Sequence, residues 1–138
     1  MNYISMVVET NKLIKCPLSK KYIGSILEQA NKIIESKNSP KIISVVVTDE
    51  KLIKRINFKY RKINRATDVL SFNDPAEIII CWSWLVRQAK KQKHNAKEEM
   101  IILLIHGFLH ILGYDHKNKE QADSMEKQSK KIISLLKK

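Results

Sequence analysis

Residues 96–112 make up the most apolar stretch of the chain, and both of its ends carry helix punctuation. Asn95 followed three residues later by Glu98 is a capping-box variant. Gly113 is well placed to stop the helix, because glycine accepts the left-handed backbone that follows many helix C-termini. The longest unbroken apolar run, Met100–Ile105, is far shorter than the roughly 20 residues that cross a bilayer. A buried helix is therefore expected here, not a membrane span.

Other elements follow from periodicity. Tyr3–Val8 is expected to form an edge strand, and Ser19 to cap a helix from about Lys20 to Ser36. Asn38-Ser39-Pro40 breaks the chain, and the β-branched run Ile42–Val47 predicts a buried strand. Thr48 or Asp49 caps a second helix to about Lys59, with a basic loop at Arg61–Thr67. Short strands at Val69–Phe72 and Ile78–Cys81 flank Asn73-Asp74-Pro75. Trp84–Lys93 reads as helix, and Asn118 caps a last amphipathic helix. This order predicts an α+β fold, a single domain over residues 1–138, with a mixed sheet of about four strands packed with about five helices.

Three of the four histidines and two of the three glycines fall within residues 106–116, His-Gly-Phe-Leu-His-Ile-Leu-Gly-Tyr-Asp-His. His106 and His110 are four apart on the expected helix, so they share a face. Beyond the Gly113 stop the chain turns back and can return His116 toward them. Three neutral imidazoles leave a fourth position open on a tetrahedral zinc, the arrangement of a catalytic site. Zinc is favoured, and nickel or iron would also accept imidazoles. Two histidines at helical spacing commonly sit in a core or on a surface; three with a placed glycine are much rarer. His94, in a lysine-rich stretch, is read as a solvated surface residue. The pattern resembles the H-E-x-x-H-x-x-G-x-x-H metalloproteases and suggests a zincin-like scaffold, but Gly107 stands where those enzymes carry their glutamate base. Peptide hydrolysis thereby loses its main proton acceptor. Asp115 is a candidate for a substitute base or for orienting a histidine from behind, with a turn-capping role as the bland alternative; the orienting role is favoured.

The net charge of +12 invites a nucleic-acid partner. Lysine supplies 22 of the 26 basic residues, so coding bias explains much of it. It does not explain arginine: three of the four, Arg55, Arg61 and Arg65, lie in a twelve-residue stretch with six basic residues and no acidic one. Arginine's planar fork suits phosphate oxygens, and Arg61 is read as a phosphate contact. Tyr60 is a candidate for stacking on a base, whereas Phe58 is expected to pack in the core. The two cysteines, Cys16 and Cys81, form no C-x-x-C pair, so neither a disulfide scaffold nor a cysteine-zinc fold is expected. With no apolar segment resembling a signal peptide, a soluble cytoplasmic protein is expected.

Taken together, Asn57-x-x-Tyr60-Arg61, Thr67-Asp68-Val69-Leu70-Ser71-Phe72, Ile79-Ile80-Cys81, the histidine segment and Met125-Glu126 resemble the YbeY family of bacterial endoribonucleases. The resemblance spans about residues 40–135 and is strongest at the histidines. It implies one zinc ion on His106, His110 and His116, and hydrolysis of single-stranded RNA. It further implies action on small-subunit ribosomal RNA ends and in ribosome quality control, with Arg61 at the position of the family's functionally important arginine. The segment after Ser71-Phe72 is shorter than is usual in the family, with Ala76-Glu77 in place of Gly-Asp. Two other functions compete with the endoribonuclease: a non-catalytic ribosome-binding factor with a structural metal, and a residual peptidase or another small-molecule metal hydrolase.

Overall fold

A computed structural model describes residues 5–136. Among the described residues the order is β1 (Val7–Lys12), α1 (Lys20–Ile34), β2 (Ile42–Thr48), α2 (Glu50–Arg61), β3 (Val69–Asn73), β4 (Ala76–Cys81), α3 (Trp82–Lys91), α4 (Ala96–Ile111) and α5 (Lys119–Leu136). The sheet runs β1-β2-β4-β3. β1 and β4 lie parallel to β2, and β3 closes the far edge antiparallel to β4. The expected α+β architecture is thus present, with a four-stranded mixed sheet and five helices.

Period-two alternation along β4 divides the interior. Ile78 and Ile80 face the larger core with α1, α4 and α5, where Ile23, Leu27, Leu104 and Phe108 are buried. Ile79 and Cys81 face the opposite way and pack with Ile53 of α2 and Leu70 of β3. One face of the sheet is therefore covered by α1, α4 and α5, and the other is covered in part by α2 over β3 and β4. The two cysteines are buried and free.

Local chemistry sets the ends of the elements. Ser19 and Asp49 accept from the backbone N–H groups of Tyr22 and Leu52, each at 3.0 Å. Asn118 accepts from the backbone N–H of Gln121 at 2.8 Å, as expected for a cap of α5. The Asn95–Glu98 capping box is reciprocal, at 2.9 and 3.1 Å. Asn73 pairs with Ala76, so the segment after Phe72 is a tight hairpin with Asp74 and Pro75 at its tip.

Two expected elements moved. The edge strand expected at Tyr3–Val8 lies at Val7–Lys12, and Tyr3 and Ile4 fall outside the described residues. β1 pairs with β2 from Val7↔Ile42 to Lys12↔Val47, so backbone hydrogen bonds hold a polar sequence that apolar patterning passes over. Helix α3 begins at Trp82 rather than Trp84, because β4 runs straight into it without a capping side chain.

Candidate metal centre

Helix α4 sets His106 and His110 on successive turns, with their Nε2 atoms 3.2 Å apart and ring centroids 4.7 Å apart. The helix then ends in a Schellman turn: Gly113 donates to the carbonyl of His110 at 3.1 Å and Tyr114 to that of Leu109 at 3.0 Å. Gly113 has φ +106°, and no atom lies within 4 Å of where its Cβ would stand, so backbone conformation rather than space demands glycine. The reversal brings the His116 ring to 5.1 Å from His110 and 6.3 Å from His106. Asp115 accepts from the backbone N–H of His116 at 2.7 Å. The ligand-capable atoms of His110, Asp115 and His116 lie within 4.8 Å of one another. Asp115 lines the same cavity as the histidines, with its carboxylate near the rings of His110 and His116.

The donor set suits a transition-metal ion. A tetrahedral zinc with nitrogen bonds of about 2.05 Å keeps its ligand nitrogens about 3.3 Å apart, close to the His106–His110 separation. Loss of surrounding water and the facing imidazoles hold His106 and His110 below the ordinary histidine value, so both are neutral near pH 7 and keep a lone pair for an ion.

Gly107 has a steric reason. A Cβ there would meet three atoms of the Ile78 side chain at 3.2–3.3 Å. The helix packs on β4 through this glycine, and a larger residue in its place must displace the Ile78 side chain by a few tenths of an ångström.

Behind His106 lies a polar chain that sequence reasoning missed. Asp68, at the start of β3, pulls the His106 ring toward protonation. One of its carboxylate oxygens accepts from the backbone N–H of Val69 at 2.8 Å, and the other from Gln88 Nε2 at 3.4 Å. Gln88 also donates to Glu99 at 2.6 Å, and the second Glu99 oxygen pairs with His94. Glu99 is 2% exposed. His94 is therefore not a solvated surface residue: a carboxylate buried beneath α3 needs a partner, and His94 supplies it. A signal was available, since Glu99 lies on the same helical stripe as Leu103, His106 and His110.

Arg61 ends α2 and donates to the Ser71 carbonyl at 2.7 Å, its guanidinium 5.2 Å from the Phe72 ring. It is close enough to His110 to disfavour that ring's protonation. Arg61, Asp68, Ser71 and the three histidines line one cavity of about 680 Å³. The arginine cluster does not act as one patch. Arg55 lines a neighbouring groove and Arg65 lines neither cavity. The fourth arginine, Arg87, is engaged by Glu50 at 3.2 Å. Phe58 is 52% exposed, so its expected place in the core is wrong: α2 turns Ile53 inward and leaves Phe58 outside. Buried Asn57 instead fastens the basic loop, donating to the Arg65 carbonyl at 3.0 Å.

A histidine cluster on a helix and its returning turn, facing an edge strand that an arginine crosses, defines an α+β protein with a metal-ligand constellation in an open cleft. Residues 6–137 match the family described as Endoribonuclease YbeY, and the chain belongs to that family. It is 30% identical to the Endoribonuclease YbeY of Buchnera aphidicola subsp. Schizaphis graminum, over 98% of this chain and 90% of that protein. The Endoribonuclease YbeY of Heliobacterium modesticaldum is 38% identical over 66% of this chain and 67% of its own length. A solution structure of a Thermotoga maritima protein shares the fold, with TM-score 0.64 and 24% identity over 95% of this chain and 92% of that one.

Proposed function

We propose that this chain is a zinc-dependent endoribonuclease that cleaves single-stranded RNA, with His106, His110 and His116 holding the metal and Arg61 holding the substrate phosphate. The carrying observation is that three imidazoles and one arginine share an open cavity. A structural zinc site is closed by four protein ligands, whereas this one keeps a face toward solvent. That favours catalysis over a ribosome-binding factor with a structural metal. Gly107, which offers no carboxylate where a peptidase of this pattern carries its base, weighs against a peptidase.

A bound zinc ion supplies Lewis acidity toward a phosphoryl oxygen or a water molecule. The chain's own groups do the rest. Arg61, anchored on Ser71, offers its remaining N–H donors to a phosphate and balances the charge that grows in the transition state. Asp115 stands beside His110 and His116, placed to accept a proton from the attacking group. Gln88, itself bonded to Glu99, holds the Asp68 carboxylate whose charge acts on His106. The cellular setting proposed for this activity is small-subunit ribosomal RNA maturation and quality control in the cytoplasm, on the family resemblance of the sequence motifs.

The test is cleavage of single-stranded ribosomal RNA by purified, zinc-loaded protein. Wild type is expected to cut, and His110→Ala and Arg61→Ala to lose at least about 100-fold in rate. Intact RNA after wild-type treatment, or equal cutting by His110→Ala, contradicts the proposal. End-group analysis distinguishes attack by water from attack by the ribose 2′-OH, which leaves a cyclic phosphate.

A further inference from the structure

The edge strand β3 separates two cavities. One holds the histidines; the other, about 670 Å³, lies on the α2 face of the sheet and is lined by Ile56, Lys59, Tyr60, Asp74, Glu77 and Ile79, among others. Phe72 lines both. The ring of Tyr60 meets Phe72 edge-on at 5.5 Å, and Lys59 Nζ sits 5.2 Å from the Tyr60 centroid. Tyr60 is 61% exposed, so its face is not consumed by core packing.

We propose that this second cavity binds a nucleobase of the RNA strand whose phosphate lies on Arg61, and that it prefers bases carrying an exocyclic amine. This rests on the endoribonuclease reading above. The floor is apolar, from Ile56 and Ile79, and Tyr60 and Phe72 offer aromatic surface against which a base can stack. Charge is sorted around it. Arg55 and Lys59 stand on α2, while Asp74 and Glu77 stand at the hairpin. Cations on one side receive the phosphates, and carboxylates on the other repel them, so the backbone has one favourable course. The carboxylates accept hydrogen bonds; cytosine, adenine and guanine each offer an exocyclic amine with two N–H donors, whereas uracil offers a single ring N3–H flanked by two carbonyl oxygens that the carboxylates repel. Arg61 lines the histidine cavity beside its border with the second one, over the shared Phe72 and bonded to Ser71 of the edge strand. A strand crossing that edge puts a phosphate on Arg61 and an adjoining base in the second cavity.

The experiment measures binding of short, non-cleavable 2′-O-methyl oligonucleotides to the zinc-loaded full chain by fluorescence anisotropy, beside cleavage of the matching RNAs. Oligo-C and oligo-A are expected to bind about tenfold tighter than oligo-U. Tyr60→Ala is expected to weaken oligo-C binding about tenfold, and Tyr60→Trp to retain it. Glu77→Gln with Asp74→Asn is expected to erase the preference against uracil. One abasic nucleotide at the matching position should weaken wild type and leave Tyr60→Ala unaffected. Wild type that cleaves RNA while Tyr60→Ala binds and cleaves identically overturns the base site alone. Wild type that neither binds nor cleaves any RNA overturns the base site and the endoribonuclease reading together.

Discussion

Gly107 separates this site from the protease pattern it otherwise follows. A glycine inside a helix ordinarily costs about 1 kcal/mol relative to alanine. Here an added Cβ would crowd Ile78, which is fully buried, and overpacking costs about 1–3 kcal/mol. Gly107→Ala is therefore expected to lower stability by about 1 kcal/mol, and thermal unfolding should show a Tm reduced by a few degrees. A raised Tm would mean that Ile78 yields freely. Asp68→Asn should weaken zinc binding by about 10- to 100-fold with the circular dichroism unchanged, as measured by chelator competition; unchanged affinity would remove Asp68 from the metal's support. His106 and His110 are held below their ordinary 6.5 in the folded protein. The unfolded chain therefore binds more protons in the window beneath 6.5, and metal-free protein should lose stability as pH falls through it and keep it above. Single residues were unevenly readable from sequence. The histidines stood out by rarity and spacing. His94 did not, because its buried partner Glu99 sits one turn along a neighbouring element, and a lysine-rich context hides that contact.

Helix α4 and its stop carry the geometry of the centre. The capping box, the apolar run and Gly113 were all visible in the sequence, and each has its expected role in the structure. Two histidines on one helix define a face, but only the reversal after Leu112 brings the third to it. Gly113→Ala must hold a non-glycine residue at φ +106°, at a cost of about 1–2 kcal/mol. Its effect on zinc affinity is expected to exceed its effect on Tm, because the strain relaxes by moving His116. Equal wild-type affinity in Gly113→Ala would show that the return of His116 does not depend on that turn. Elements held by backbone pairing were harder to place: β1 carries Glu9, Thr10, Asn11 and Lys12 on an edge, where neither face supplies a strong apolar pattern.

Across the molecule, a two-faced sheet keeps the histidine cluster on the α4 side and a basic helix on the α2 side, and the β3 edge is where they meet. The +12 charge is informative only once it is distributed. Arg87 is tied to Glu50, Arg61 reaches the histidine cavity and Arg55 the neighbouring groove. Binding of single-stranded RNA should weaken steeply with salt, and Arg55→Gln should flatten the logarithmic slope by about 0.7, the contribution of one phosphate contact. An unchanged slope would put the backbone elsewhere on the surface. The central claim, that three histidines from a helix and its returning turn form one metal site, is tested most directly by metal content. Purified wild type and His116→Ala, checked for equal folding by circular dichroism, are analysed by elemental mass spectrometry after loading with zinc and desalting. One equivalent of zinc per wild-type chain, lost in His116→Ala, is the expected result. Equal zinc in both proteins, or none in wild type, contradicts it.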